Sequence, residues 1–553
     1  MKKVTYLFYM LVGIVLITSC NKDKWLEEVP LDFYSPANSY AKPADFNAAI
    51  ARIYQNTGIL HNRGSDASFP LEYPSDVSLD NHGITHDLNS YTNSLIPENR
   101  FVLQFWTDAY RIIFDCNTIL DRIDKPEIVF PTDKDRAVVK AEASFLRGYA
   151  YRLLGILYGG VPLVLKEVTE PKRDFVRASV DDVWTQVISD YTFAAANLPD
   201  QSELKQDGRL TKAAAQHALA EAYIITKQWD KAIAAASAVI DNPAYRLMTA
   251  RFGTWKDKAG DVYSDLFRRG NINYKGKAGV NTEAIWVDQY EYLVPGGGHP
   301  NSIASFLGPV YWQLTGNDGK NLFIGPTTQM GGRGTGWLIP TNYVMNEIWT
   351  DANDIRNSAY NIIRDVKADN PASAYYGKYI VASGAFTNFN NALNRWWHPV
   401  YTKTTPINDF PAEVISNPAT GLTLNTANQT YNDTYFFRLA ETYLLRAEAH
   451  LGAGQAQLAA DDINKVRQRA NAAPVAASDV NISFLLDERA RELCFEEKRV
   501  LTLMRLGLQK ERVDKYNVMT KGQILDRNRL WPIPQSEIEK NTEAVLEQNP
   551  GYN

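Results

Sequence analysis

Residues 435–470 read YFFRLAETYLLRAEAHLGAGQAQLAADDINKVRQRA, and their spacing decides the fold. Over 434–451, Phe437, Ala440, Leu444, Ala447 and Leu451 alternate steps of three and four. That is the repeat of one buried helix face. Gly452 and Gly454 end the run, since glycine readily adopts the left-handed conformation that closes a helix. A second amphipathic run follows at once, so the stretch predicts a helix, a turn and a second helix.

A similar stretch lies upstream: LTKAAAQHALAEAYIITKQWDKAIAAASAVI, residues 210–240. Ala214, Ala218, Tyr223, Trp229, Ala232 and Ala236 fall where small and aromatic residues let two antiparallel helices approach closely. Both stretches resemble tetratricopeptide units, whose period is about 34 residues. A free-standing array needs about three or more units, so these two pairs are expected to pack against the rest of the chain. Residues 103–124, 136–158 and 180–197 supply more divergent helices. In 136–158, Val138, Ala141, Phe145, Tyr149, Leu153 and Ile156 recur at helical spacing, Gly159-Gly160 stops the helix, and Pro162 blocks its continuation.

Residues 244–430 have a different texture, with PGGGHPN, GNDGKN, MGGRGTGW and INDFPAE and short extended segments such as Glu283–Val287. A structureless loop of this size is improbable inside a compact domain. The segment reads as loop-rich structure laid over a helical scaffold, a common way to build a binding surface.

The N-terminus, MKKVTYLFYMLVGIVLITSCNKDKW, has a positive start at Lys2 and Lys3, an apolar run from Val4 to Ile17, and small residues before Cys20. The run is shorter than the roughly 20 residues a spanning helix needs. A signal segment ending on Cys resembles a lipobox, in which residues 1–19 are removed and Cys20 is acylated. The alternative is a plain signal peptide with a chance cysteine. Several acyl chains on one residue anchor a protein stably without a spanning helix.

The chain has 553 residues, 45% apolar and 22% charged, an ordinary globular composition. Its net charge of −5 creates no basic field for nucleic acid. Besides Cys20 only Cys116 and Cys494 remain. They could pair, but they cannot form a disulfide framework or a zinc ribbon. Aromatic content is high, with 30 Tyr, 22 Phe and 12 Trp. Many lie in Gly/Pro/Asn-rich stretches, where a ring with an apolar face and a polar tip often marks a contact surface.

Catalytic signatures are absent from the sequence: there is no HExxH, G-x-S-x-G or phosphate-binding loop. The glycine-rich run Gly331–Trp337 lacks the phosphate-loop lysine and reads as a mobile loop presenting Arg333 and Trp337. His82 and His86 are four apart, but Gly83 and Thr85 argue against a helix that would join them in a metal pair, so they read as loop polar residues. Asp76, Asp80, Asn81 and Asp87 could supply oxygens to a structural calcium ion, without an EF-hand pattern. No other cofactor is called for. A glycosidase would need two carboxylates at a set separation across a cleft, and nothing marks such a pair.

Five segments converge on a family. KAEASFLRGYAYRLLGILYGGVPLV (140–164), RLTKAAAQHALAEAYI (209–224), YFFRLAETYLLRAEAHLGAG (435–454), LLDERARELCFEEKRVLTLMRLG (485–507) and the terminal LWPIPQSEIEKNTEAVLEQNPGYN (530–553) resemble, in order and spacing, the SusD/RagB family of Bacteroidetes outer-membrane lipoproteins. The resemblance covers essentially the whole chain after the signal segment. It implies a mainly α SusD-like fold with tetratricopeptide-like helix pairs, a helical scaffold over about 40–243 and 434–510, and a loop-rich binding region over about 244–433. It also implies display at the cell surface, a lipid anchor in the outer membrane, and a SusC-like TonB-dependent barrel as partner. The ligand would be an oligosaccharide or polysaccharide, bound without catalysis. The alternatives are peptide capture of the RagB kind and a surface glycoside hydrolase.

Asp487 and Arg491, at i,i+4, and Glu496 and Arg499, at i,i+3, have ion-pair spacing on one long helix and read as a structural network. Trp531–Pro534 reads as a rigid extended segment docked on the helices. By the resemblance, the ligand site draws on an N-terminal loop and on loops after the mid-chain strand. That points to Asp80, Asn81 and Tyr91, and to Tyr290, Tyr292, Tyr311, Trp312 and Trp337. Trp286, inside the strand, is assigned to the core.

Overall fold

A computed structural model describes residues 40–62, 69–83, 85–275, 280–387, 394–405 and 407–552. Helices dominate: α1 (Pro43–His61), α2 (Arg100–Arg122), α3 (Asp133–Tyr158), α4 (Val180–Asn197), α5 (Lys212–Ile225), α6 (Trp229–Ile240), α7 (Leu439–Gly452), α8 (Ala456–Arg469), α9 (Ile482–Leu493), α10 (Arg499–Arg505) and α11 (Gln509–Tyr516). Their starts are written in the sequence. The side chains of Asn99, Thr132, Ser179, Thr211 and Asn481 each accept a backbone N–H from the first turn of α2, α3, α4, α5 and α9. Such caps satisfy donors that a helix leaves open.

Successive helices pack side by side from α1 through α6. The chain then leaves the stack for the loop-rich segment and returns as α7, which packs against α6. The stack thus continues across an interruption of almost two hundred residues (241–438). Small residues permit this join. Ala232 and Ala236 on α6 and Ala440, Ala447 and Ala449 on α7 are buried. Gly452, at the end of α7, lies so close to Trp229 that a Cβ would meet its ring at 2.6 Å.

Two short antiparallel ladders tie the loop-rich segment to this scaffold. Strands β1 (Ser78–Asp80) and β3 (Leu338–Pro340) pair with Asp80 opposite Leu338. Strands β2 (Ala284–Asp288) and β4 (Thr434–Arg438) pair with Asp288 opposite Thr434. The second ladder corrects the sequence reading, which ran the helix back to 434. Residues 434–438 are a strand because a distant partner pairs with them, and α7 begins only at Leu439. Trp286 of β2 is core as expected, with its ring stacked on Phe436 at 3.7 Å.

The expected ion-pair helix is also different. It is broken: α9 ends at Leu493, Phe495 takes a left-handed φ of +60°, and α10 starts at Arg499. Glu496 and Arg499 therefore do not share a helix. Arg491 pairs with Glu488 at 2.7 Å, and Asp487 pairs with Arg512 at 2.7 Å. The structural network itself is present and larger than expected. Arg438 reaches Glu283, Glu492 and Glu496 at 3.3, 2.6 and 2.5 Å. Arg469 meets Glu283 and Glu492, and Arg356 meets Asp354, Glu488 and Glu492. Asp76, just before β1, accepts from Arg499 and Arg512, each at 2.8 Å. With its oxygens engaged by guanidinium groups, Asp76 is not a calcium ligand.

Trp531 and Ile533 are fully buried, and the Trp531 backbone N–H donates to the Leu157 carbonyl at the end of α3. The terminal segment is docked on the helices as its sequence implied. Cys116 and Cys494 are both buried and free, so the pairing left open by sequence does not occur. Cys20 lies outside the described residues.

The buried network makes stability depend on acidity. Burial alone would raise Glu488 and Glu492, but the surrounding guanidinium groups outweigh it and hold both at about 2, against an ordinary 4.5. The folded chain then binds fewer protons than the unfolded chain between those values, so this stability is present above pH 4.5 and lost as pH falls toward 2. Burial lowers His217 to about 3, which acts in the same direction below its ordinary 6.5. Burial raises Asp288 and Glu441 to about 7, which acts oppositely up to that pH. Among these groups one imidazole opposes two carboxylates between about pH 4.5 and 6.5, so denaturant midpoints measured against pH should decline gently as pH rises through that range and fall steeply below 4.5.

Candidate ligand-binding face

The glycine run 331–337 is the centre of the loop-built face. It is pinned, not the mobile loop that its glycines suggested. Gly332, Arg333, Thr335 and Gly336 donate backbone N–H bonds to the carbonyls of Thr327, Ala427, Ser305 and Gly308 at 2.9, 3.3, 2.8 and 2.8 Å. Glycine is required where other backbone crosses. A Cβ on Gly334 would meet the Pro309 carbonyl oxygen at 2.2 Å. Gly336 has φ +60°, and a Cβ there would meet the Arg395 carbonyl oxygen at 2.4 Å.

This close approach places Arg395 on Trp337. The guanidinium carbon sits 3.4 Å from the indole centroid, and both Nε and Nη2 donate to the Thr335 carbonyl. His82 stacks on the same indole at 3.8 Å with an interplanar angle of 14°. Two planar groups this close to one ring cannot share a face, so Trp337 is sandwiched between them. His86 extends the pile, stacked on His82 at 4.3 Å. Beyond Arg395 comes Trp396, whose exposure is 46%.

The sequence-predicted residues divide accordingly. Asp80, Asn81 and Trp337 are brought together: Asn81 donates its backbone N–H to the Trp337 carbonyl at 2.8 Å, continuing the β1–β3 ladder. Asp80, however, is 1% exposed and turns its carboxylate to His82 and His86. Trp337 has both faces covered by protein. Neither offers a free surface for stacking or bonding a ligand in this structure.

Trp312 is half-buried against the same glycine run. Its Nε1 donates to the Gly334 carbonyl at 3.0 Å, and the Arg333 guanidinium lies 5.4 Å from its ring centre. Tyr290 and Tyr292, also half-buried, form a neighbouring group. The Tyr290 hydroxyl donates to Gln429 at 3.2 Å, and Tyr292 meets the Tyr431 ring edge-on at 5.0 Å. Segment 427–431 touches both groups, since Ala427 accepts from Arg333 while Gln429 and Tyr431 contact the tyrosines.

Tyr91 and Tyr311 are corrections. Both are fully buried. The Tyr91 hydroxyl accepts from the Trp531 Nε1, and the Tyr311 hydroxyl donates to the Gly332 carbonyl and accepts from the Thr327 N–H. Tyr311 holds the glycine run from beneath, and Tyr91 holds the docked C-terminal segment. Sequence reasoning missed Arg395 and Trp396, although RWWHP (395–399) carries two adjacent indoles outside any periodic run. It considered His82 and His86 and set them aside because no helix joins them. A turn joins them instead.

Fold and site together define a stack of helices carrying an aromatic, loop-built face. Two family models match the chain: the SusD family over residues 253–552, and "Starch-binding associating with outer membrane" over 24–224. The chain belongs to the SusD family. SusD-like protein P2 of Formosa agariphila is 25% identical over 565 residues, covering 98% of this chain and 99% of that one. The starch-binding protein SusD of Bacteroides thetaiotaomicron is 37% identical over 134 residues, 23% of each chain. Among solved structures, a laminarin-binding SusD-like protein superposes with a TM-score of 0.67 at 22% identity, covering 93% of this chain and all of that one. A SusD homologue from Bacteroides thetaiotaomicron gives 0.72 at 19% identity, covering 93% and 98%. No helix of the described residues is long and apolar enough to cross a membrane.

Gly336→Ala places a methyl group against the Arg395 carbonyl at an unfavourable φ. It should cost about 1–3 kcal/mol, read as a lower urea midpoint with an unchanged slope.

Proposed function

We propose that the chain captures an oligosaccharide or polysaccharide on this face and passes it, unaltered, to a SusC-like TonB-dependent transporter in the outer membrane. The observation that carries the reading is the partly exposed Trp312 beside the Arg333 guanidinium on a pinned glycine run. A sugar ring presents an apolar C–H face and a polar rim, which an indole and a guanidinium match in turn. Tyr290, Tyr292 and Trp396 extend the surface for further sugar units. Asp80, Asn81 and Trp337 act beneath it, fixing the loop. Membership of the SusD family supports the ligand class, as do the outer-membrane, starch-binding description of the second family model and the laminarin-binding structural relative.

The same reading places the protein at the cell surface, tethered by acyl chains on Cys20. Cys20→Ala should move the folded protein from the membrane fraction to the soluble fraction. Retention with membranes at high salt, without the transporter, would refute the anchor.

Calorimetry against starch- and laminarin-derived oligosaccharides tests capture. A stacked ring is worth about 1–3 kcal/mol by analogy with base stacking, so Trp312→Ala should weaken binding about ten-fold or more while circular dichroism shows the fold retained. Unchanged affinity in Trp312→Ala, Tyr292→Ala and Trp396→Ala alike would refute the site. New reducing ends in the glycan would refute binding without turnover.

A further inference from the structure

Asp80 has surroundings unlike those of the other buried carboxylates. Asp76, four residues earlier, is neutralised by two arginines. Asp80 is 1% exposed, and among the described residues no lysine or arginine pairs with it. It faces two imidazoles instead. The Nδ1 of His82 contacts one carboxylate oxygen, and the Nδ1 of His86 lies 2.7 Å from the other. A buried carboxylate demands a compensating charge, and a cation held between these three side chains would supply it.

We propose that Asp80, His82 and His86 form a binding site for one divalent transition-metal ion of the zinc class. One donor atom from each residue lies within 4.8 Å of the other two. Two imidazole nitrogens and a carboxylate oxygen are a donor set that suits zinc and its neighbours and does not suit calcium, which prefers oxygen alone. Zinc bonds of about 2.0–2.1 Å put neighbouring donors about 3.3 Å apart in a tetrahedron. The nitrogen–carboxylate separations here are already shorter, so an entering ion opens the cluster, with the more exposed His86 turning out of its stack on His82 so that both metal–nitrogen bonds lie in their ring planes. A metal-binding imidazole is neutral, so each ring keeps one proton, on Nε2, and only a second proton on a ring passes to solvent.

Access and rigidity both favour the site. The histidine side chains are 15% and 29% exposed, so an ion can enter from solvent. The carboxylate is fixed by the β1–β3 ladder, and Asn89 clamps the turn by donating from Nδ2 to the carbonyls of Asp80 and Gly83 at 2.7 and 2.9 Å. The stack on Trp337 holds the His82 ring. Three protein donors leave at least one position for water or another oxygen ligand. The proposal is independent of glycan capture.

The test is calorimetric titration of the untagged full-length chain, in detergent, with zinc chloride in a non-chelating buffer. One zinc per chain is expected, persisting in excess calcium. His82→Gln and His86→Gln should each weaken uptake at least about ten-fold. Copper(II) titration gives a second readout that needs no histidine variant. A paramagnetic ion on His82 should quench Trp337, so the saturable part of the fluorescence loss should disappear in Trp337→Phe. Absence of saturable zinc uptake, uptake unchanged in either histidine variant, or quenching retained in Trp337→Phe would overturn the proposal.

Discussion

The buried ion network along α9 is the constraint on which the rest of the structure depends. Glu488 and Glu492 project from one helix into the contact with the loop-rich segment. Around them sit Arg356 from the loops, Arg438 at the end of β4 and Arg469 at the end of α8. Each of these groups is close to fully buried. Such a network contributes little net stability, because desolvation consumes most of the Coulombic gain. It penalises wrong arrangements heavily, since removing one partner strands a charge at a cost of about 3–5 kcal/mol. We read it as the device that sets how the loop-rich segment sits on the helices.

Asp76 extends that control toward the loop-built face. Arg499 and Arg512 hold it from α10 and α11, and it lies just ahead of β1. β1 pairs with β3, and β3 follows directly from the glycine run. A short path of charge pairs and backbone bonds therefore leads from the helical scaffold to Trp337, Arg333 and Trp312. This explains how loops with little regular structure can present rings in fixed positions. The glycines serve the same end: Gly334 and Gly336 let neighbouring backbone cross at distances that no side chain permits.

The helices were legible because their information is local. Caps, glycine stops and small-residue faces in 210–240 and 435–470 all lie within the segments they shape. The family was legible from block order. Residues 434–438 were not legible as a strand, because only pairing with 284–288 makes them one. The break at Phe495 was hidden because a non-glycine residue takes the left-handed conformation there. Tyr91 and Tyr311 look in sequence like surface tyrosines, but each buries its ring and pairs its hydroxyl, Tyr91 with Trp531 far along the chain and Tyr311 with Gly332 across a loop. Trp337 was placed correctly in the loop face, yet its two faces are taken by His82 and Arg395, from positions about 250 and 60 residues away. Contacts of that range leave no periodic trace.

A crystal structure of the protein with a bound starch- or laminarin-derived oligosaccharide tests the central claim most directly, that a preformed loop face captures a glycan. The account predicts a sugar ring stacked on Trp312 with a hydroxyl bonded to Arg333, and the backbone of 331–337 unmoved from the free protein. A sugar bound away from this face, or a glycine run that refolds to receive it, would contradict the account.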